Sequence, residues 1–428
     1  MNTSQTDAPV DNSSSDTLMR TPPPVSSEGY KISVGPGTRS NYLHAGLIFN
    51  TAYNDNVLSG AGSNPISDMS YSIWPTIAFD QTTPRLHQTL RYSPGFTFYQ
   101  RTSALNEVDQ NLAFDFQYRL SPHITASADN YFRKSSNIFN QPYGFSGSPV
   151  SGSAQAPLTP VVAPIADQLT NSTNVALTYQ FGRNDMVGAS GTFDNLTYLN
   201  SQQVTGLYNS ITRGASAFYS HRFLNAQYFG ATYQHSQMLG VPLSKNQTQS
   251  ETQTNTALLF YTVYFHPNLS FSLSAGPQYY DVAQSPFPES RSWTPVVAVS
   301  MGWQGRRTAF AASYSRLVSG GGGLLGAFHS NSANASFNWQ LARRWSVGPA
   351  VSYAITNNVS SVPEVNPGGH IISGNISVQH PINEHLDVEF SYTRLHQSYN
   401  SIAVVSSAPD ADRASISISY QFTRPLGK

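Results

Sequence analysis

Seven ionisable side chains fall within one stretch of the chain at spacings that would put them on a shared surface. Arg85, Arg91 and Arg101 lie even numbers of residues apart and share their parity with Thr89, Ser93 and Thr97. Asp115 and Arg119 follow in the run NLAFDFQYRL (111–120), and Asp129 and Arg133 in the run after it. In an extended chain successive side chains point to opposite faces, so residues an even number apart share a face. Guanidinium and carboxylate groups gathered on three consecutive extended segments can do one of two things. They can form a charged constriction that screens solutes, or a mutually neutralised ladder that braces a wall. Sequence leaves both open.

Other chemistry is thinly represented. The 11 histidines are scattered and form no HExxH-like pair or other metal-binding spacing. With no cysteine, disulfides and thiolate metal sites are impossible. The GGGG run at 320–323 is followed by neither Lys-Ser/Thr nor a helical pattern, so it reads as a flexible loop tip rather than a phosphate loop. No catalytic residue, metal or cofactor is indicated.

The elements that would position the charged residues are strands. In NLAFDFQYRL, Leu112, Phe114, Phe116, Tyr118 and Leu120 occupy one face and Asn111, Ala113, Asp115, Gln117 and Arg119 the other. LSFSLSAGPQYY (269–280) and ANASFNWQL (333–341) alternate in the same way, and ASISISY (414–420) does so without a fault. Period two means strands with one apolar and one polar face. The breaks between them take turns: very short ones, such as SPH (121–123) and QGR (304–306), and longer ones rich in Gly, Pro, Ser and Asn. Eight short turns and nine long loops predict about 18 strands.

Composition says what surrounds them. Only 11% of the 428 residues are charged, against about 25% in a typical soluble domain. Formal net charge is zero, which argues against nucleic acid as a partner. No run of ~18 apolar residues exists, so no transmembrane helix is predicted, and residues 1–24 lack the apolar core of a signal peptide. Short turns on one side, long loops on the other and an even strand count are the layout of an outer-membrane β-barrel. The expected fold is therefore all-β: a transmembrane antiparallel up-and-down barrel of about 18 strands in the bacterial outer membrane. Residues 1–40 are expected to form a disordered periplasmic arm, 41–424 the barrel, and 425–428 a tail. Aromatics near strand ends suggest two interfacial girdles: Tyr118, Phe181, Phe223, Phe265, Trp303, Trp339 and Phe422 by the short turns, and Tyr53, Tyr99, Tyr131, Tyr198 and Tyr280 toward the long loops.

The opening run GLIFNTAYNDNVLSG (46–60), the number of hairpins and the YQF ending resemble the outer-membrane β-barrel porin families of Gram-negative bacteria. Some members of these families are linked to exopolysaccharide export. The resemblance implies that Tyr420 and Phe422 carry the C-terminal signal read by the barrel-assembly machinery. It also implies an outer-membrane conduit, with polysaccharide as the leading cargo and a periplasmic polysaccharide-export protein as partner. A general porin for small hydrophilic solutes is the alternative, and an outer-membrane enzyme a remote third, since Ser220 and His221 are adjacent and face opposite ways. The long segment 136–172, with its apolar run PLTPVVAPIA (157–166), is expected to fold into the lumen, over the mouth or against a partner.

Overall fold

A computed structural model describes residues 19–26, 30, 41–58, 65–135, 167–199, 207–243, 249–284, 288–320, 322–359, 368–399 and 410–426. The expected lumen-entering loop lies for the most part, over 136–166, outside the described residues. Eighteen strands form one sheet: β1 (Tyr42–Asn54), β2 (Asp68–Thr82), β3 (Leu86–Tyr99), β4 (Glu107–Arg119), β5 (Ile124–Ser135), β6 (Gln168–Gln180), β7 (Asp185–Tyr198), β8 (Asn209–Leu224), β9 (Gln227–Val241), β10 (Ser250–His266), β11 (Leu269–Gln284), β12 (Ser290–Gln304), β13 (Thr308–Gly320), β14 (Ala327–Ala342), β15 (Trp345–Asn358), β16 (Gly369–Pro381), β17 (Leu386–Tyr399) and β18 (Ala411–Pro425). Each strand pairs antiparallel with its neighbour in sequence. β1 and β18 pair in turn over their full overlap, from Tyr42↔Pro425 to Asn54↔Arg413, closing the sheet into a barrel.

Closure follows from the alternation. A strand with one apolar face needs either a core or lipid to cover it, and this sheet turns its apolar face outward. Leu47 and Phe49 on β1, Ile416 and Ile418 on β18, Phe390 on β17, and Leu259 and Leu273 on β10 and β11 are all exposed on the outside. In hydrocarbon every backbone polar group must be satisfied within the protein, which only a closed sheet achieves. The even strand number, short turns at one end and apolar outer band are those of an outer-membrane barrel. The chain's poverty in charge has its cause here, because a Lys or Arg on the lipid face costs about 2–4 kcal/mol at midplane.

At the short-turn end five of the seven expected girdle aromatics, Phe181, Phe223, Phe265, Trp339 and Phe422, are exposed, and Tyr118 and Trp303 are half-buried. The other girdle is corrected. Of its five expected members only Tyr53 faces out, whereas Tyr99, Tyr198 and Tyr280 are buried inside the barrel and Tyr131 shares the inward face with Asp129 and Arg133. Each has the parity of its strand's polar face, and that parity sets its direction. The exposed aromatics at this end are instead Tyr71, Phe98, Tyr233, Trp293, Tyr353 and Tyr392.

The N-terminal arm also differs from a free tail over its described part. Met19 packs against Met186, Phe218 and Tyr228 on the inner wall, and its N–H donates to Gln180 Oε1 at 3.1 Å. The Arg20 guanidinium sits 5.7 Å from the centre of the Tyr264 ring, a cation–π distance. Val25 and Ser26 N–H groups donate to the Pro22 carbonyl, forming a tight turn. Tyr30 lies against the bare Cα of Gly302, where a Cβ would collide, with its hydroxyl 3.2 Å from Ser300 Oγ. These apolar residues have found a surface that a tail in water would lack.

Candidate functional site

Among the described residues, buried polar side chains converge in the lumen, while exposed polar clusters such as Arg394, His396, Asp410 and Asp412 lie at the long-loop end. The lumen's charges cluster on β2–β5. Five of the seven residues singled out from sequence, Arg91, Asp115, Arg119, Asp129 and Arg133, occupy inward positions on β3, β4 and β5. The other two lie off the strands: Arg85 in the short turn before β3 and Arg101 in the long connection after it, both exposed and at opposite ends of the barrel. Arg101 contributes through its backbone, whose N–H donates to Asp68. Asp68 also accepts from the Thr102 N–H and hydroxyl, each at 2.7 Å, and so pins that connection.

Register shows how the five are arranged. Asp115 stands directly opposite Thr89 on one side and Asp129 on the other. Arg91 is opposite Ala113 and Arg133 opposite Asn111. Asn174 on β6 donates its side-chain N–H to Asp129 at 3.2 Å. A neutralised ladder would set opposite charges across each strand pair, whereas like charges directly opposite are destabilising. Here two carboxylates face each other, Arg91 sits one step along, diagonal to Asp115, and Arg119 and Arg133 lie two steps away on the same face. Sequence reasoning missed several inward charges: Asp80, which attracts Arg91, Glu107 and Asp109 on β4, and buried Arg413 on β18, within electrostatic reach of Tyr99 and Glu107. Parity was the available signal, since Asp80 shares it with Ser70 and Ser72.

The rest of the wall is mostly neutral, with single inward charges at Asp194 on β7, Arg222 on β8 and Asp387 and Glu389 on β17. Neighbouring strands bond hydroxyl to hydroxyl: Thr262 with Ser272 at 2.9 Å, Ser315 with Ser332 at 2.8 Å, Ser352 with Ser373 at 2.6 Å and Ser391 with Ser415 at 2.6 Å. Ser220 is buried on the inner face. His221 points outward and contacts Asp185 at 2.8 Å, so no Ser–His pair forms between them. Among the described residues no group of three or more His, Cys, Asp or Glu side chains is placed to hold a metal ion.

At the long-loop end the GGGG run is not a free tip. Gly322 and Gly323 have φ of 57° and 105°, a region that glycine enters without strain. This bend carries Leu324 into an apolar cluster with Leu196 and Tyr198 of β7, Leu207, Phe328 of β14 and Tyr399 of β17. The Gly323 carbonyl accepts from the Tyr208 N–H at 2.8 Å, and burial raises the Tyr208 phenol above its ordinary pKa. Since β7 and β17 are well separated around the barrel, Leu324 reaches across its mouth.

The wall beneath this bend is incomplete. β12 and β13 pair only from Val297↔Arg316 to Gln304↔Ala309. Above that, the outward-parity residues Val318 and Ala327 pack on the inner side of β11, against Tyr280 and Val282. The top of the β13–β14 hairpin is therefore tucked inside its neighbours. Gln278 of β11 holds it there, its amide donating to the Val318 carbonyl at 3.1 Å and its carbonyl accepting the Val318 N–H at 2.7 Å.

No family model matches the chain, and no curated protein matches it. Among solved structures the barrel is similar to OccK2 (OpdF) of Pseudomonas aeruginosa, at TM-score 0.41 and 9% identity over 90% of this chain and 98% of that one. It is also similar to the outer membrane protein opdK of the same organism (TM-score 0.39, 11% identity, 89% and 99% covered). The FrpB iron transporter of Neisseria meningitidis is a third (0.43, 7%, 90% and 83%). At these identities the likeness concerns the barrel and says nothing of cargo.

Proposed function

We propose that the protein is an outer-membrane pore for small hydrophilic solutes, constricted by the charged wall of β2–β5 and by two chain segments lying in the lumen. The observation that carries this is the closed barrel with a polar, hydroxyl-rich interior. An inner wall of Ser, Thr, Asn and Gln hydrogen-bonds water and neutral solutes without a strong field. The Arg91, Asp115, Asp129 and Arg133 patch adds local fields of both signs that act on ions. Polysaccharide export, the cargo implied by family resemblance, asks more of this lumen. A polymer would have to displace both Met19–Ser26 and the Leu324 bend, whereas a small solute has only to pass beside them.

Liposome swelling tests the reading. Proteoliposomes should admit a monosaccharide and exclude a dextran, and removal of residues 19–30 should speed sugar entry and raise single-channel conductance. No sugar entry into liposomes holding either the full chain or the truncated one would overturn it. Dextran passage would favour the polymer.

A further inference from the structure

The β12–β13 seam is held shut in an unusual way. Continuing its register by two residues would set Pro295 opposite Val318. Proline has no N–H to give, and Val318 takes both of its hydrogen bonds from the Gln278 side chain instead. Pro295 also faces Pro277 across β11–β12, and the β10–β11 register skips Gly276 and Pro277. Over Ser290–Val296, a length of about 23 Å at strand rise, β12 has no ladder to β13.

What fills the seam is apolar, in a lumen that is otherwise largely polar. Leu258 of β10 and Val296 and Ala298 of β12 form a buried cluster, with Leu317 of β13 packed against it. Gly276, opposite Val296, leaves no side chain between Leu258 and Val296. On the lipid side a groove over β7–β11, lined by Ala217, Ala231, Ala257, Ala275, Leu258 and Pro277, ends one strand short of the seam. Trp293, an exposed aromatic at the long-loop end of the apolar band, stands on the stretch of β12 that has no ladder to β13.

From this we infer that the β12–β13 seam is a lateral portal between the lumen and the outer leaflet, and that its ligand is an amphiphile whose acyl chain replaces Leu317 over Leu258, Val296 and Ala298. The physical reason is the difference between two kinds of closure. Parting a ladder in hydrocarbon strands backbone N–H and C=O groups. Parting apolar side chains there exchanges them for lipid tails, which are equally apolar. The seam is the line along which this wall opens at least cost, and its lining matches an acyl chain. The inference rests on the membrane-spanning barrel and is independent of which solute crosses the pore.

Photolabelling tests it, with a diazirine-bearing long-chain fatty acid in liposomes holding the full chain. Leu258, Val296, Ala298 or Leu317 should be labelled well above Ile48, an inward residue on the fully paired β1. Thr294→Cys with Ser319→Cys, one step up the continued register, forms a disulfide when the seam zips, and the native chain has no cysteine to compete. Oxidation should bring labelling of the cluster down to the level of Ile48. Pro295→Thr, which restores the missing donor, should lower it without any cross-link. Labelling of the cluster no higher than Ile48 in the native chain would overturn the portal, as would full labelling in the oxidised pair. Sugar entry into the same liposomes separates the two readings, since the pore can fail while the labelling stands, and the reverse.

Discussion

The barrel has two seams that invite comparison. β1 and β18 are joined by no turn and come from the two ends of the sequence, yet they zip from Tyr42↔Pro425 to Asn54↔Arg413 without a register shift. β12 and β13 are joined by a short turn, and their ladder stops at Val297↔Arg316. Covalent linkage therefore does not decide where the wall is sound; the side chains along the edge do. The closing seam carries uninterrupted β-forming alternation on β18, with Leu47 outside against Tyr420 and Ala45 against Phe422. The other seam carries Pro295 on its edge and a glycine-rich bend at its top, so its hairpin can leave the wall.

The largest expected effect comes from breaking the closing seam. Deleting residues 414–428 removes most of β18 and strands the facing edges of β1 and β17 in lipid, at several kcal/mol per unsatisfied group. Loss of the heat-modifiable band on gels is the expected result. Phe422→Ala leaves every backbone bond in place and removes one exposed aromatic at the short-turn end of β18, so it should lower surface levels without abolishing them. Normal levels of the deletion variant would show that closure does not depend on this strand.

Hydrogen exchange sharpens the comparison without altering the chain. Amides of β1 should exchange slowly along its whole length, because both edges are laddered. Peptides covering Ser290–Val296 and Leu317–Gly320 should exchange faster by at least about tenfold, corresponding to openings cheaper by about 1.4 kcal/mol or more. Equal protection at both seams would mean that the β12 edge is sealed by something stronger than side chains.

Gln278→Leu is a milder insult aimed at the open seam alone. It removes both hydrogen bonds that the Val318 backbone makes to this amide and leaves those groups buried, at about 1–3 kcal/mol. The barrel should still fold and remain heat-modifiable, with faster exchange confined to β13 and the start of β14. Lower stability spread evenly over all strands would contradict the separation of the two seams.

Much of this could be read from the sequence, and the exceptions share a cause. Alternation reports which face a residue occupies, so strand number, turn alternation and the inward direction of Arg91, Asp115, Arg119, Asp129 and Arg133 were legible. The same parity would have turned Tyr99, Tyr131, Tyr198 and Tyr280 inward, had it outranked nearness to a strand end. Arg85 and Arg101 were placed by parity beyond the ends of β3, where it no longer applies. The tucked hairpin was not legible at all. It depends on Gln278, forty residues from Val318, substituting for a strand, and on Leu324 meeting Tyr399 across the mouth. No periodicity encodes contacts made through the lumen.

The smallest expected effect concerns charge, and it lies on the sound side of the comparison. β3–β5 are laddered through their charged region, and β2 pairs with β3 from Ile77↔Tyr92 to Thr82↔His87, so Arg91 and its carboxylate neighbours are held in a hydrogen-bonded wall. A fixed charge in a rigid wall biases ions and barely touches neutral sugars. Arg91→Ser removes one positive charge beside Asp80 and Asp115, so the reversal potential in a salt gradient should move toward cation preference. Asp115→Asn should move it the other way, and sugar entry should be unchanged in both. The shift should be clear at about 0.1 M salt, where fields extend about 10 Å, and fade toward 1 M, where they extend about 3 Å. Opposite shifts for the two variants would place both groups on the ion path. No shift in either would return the patch to a bracing role, with the ions passing along the hydroxyl-lined wall opposite.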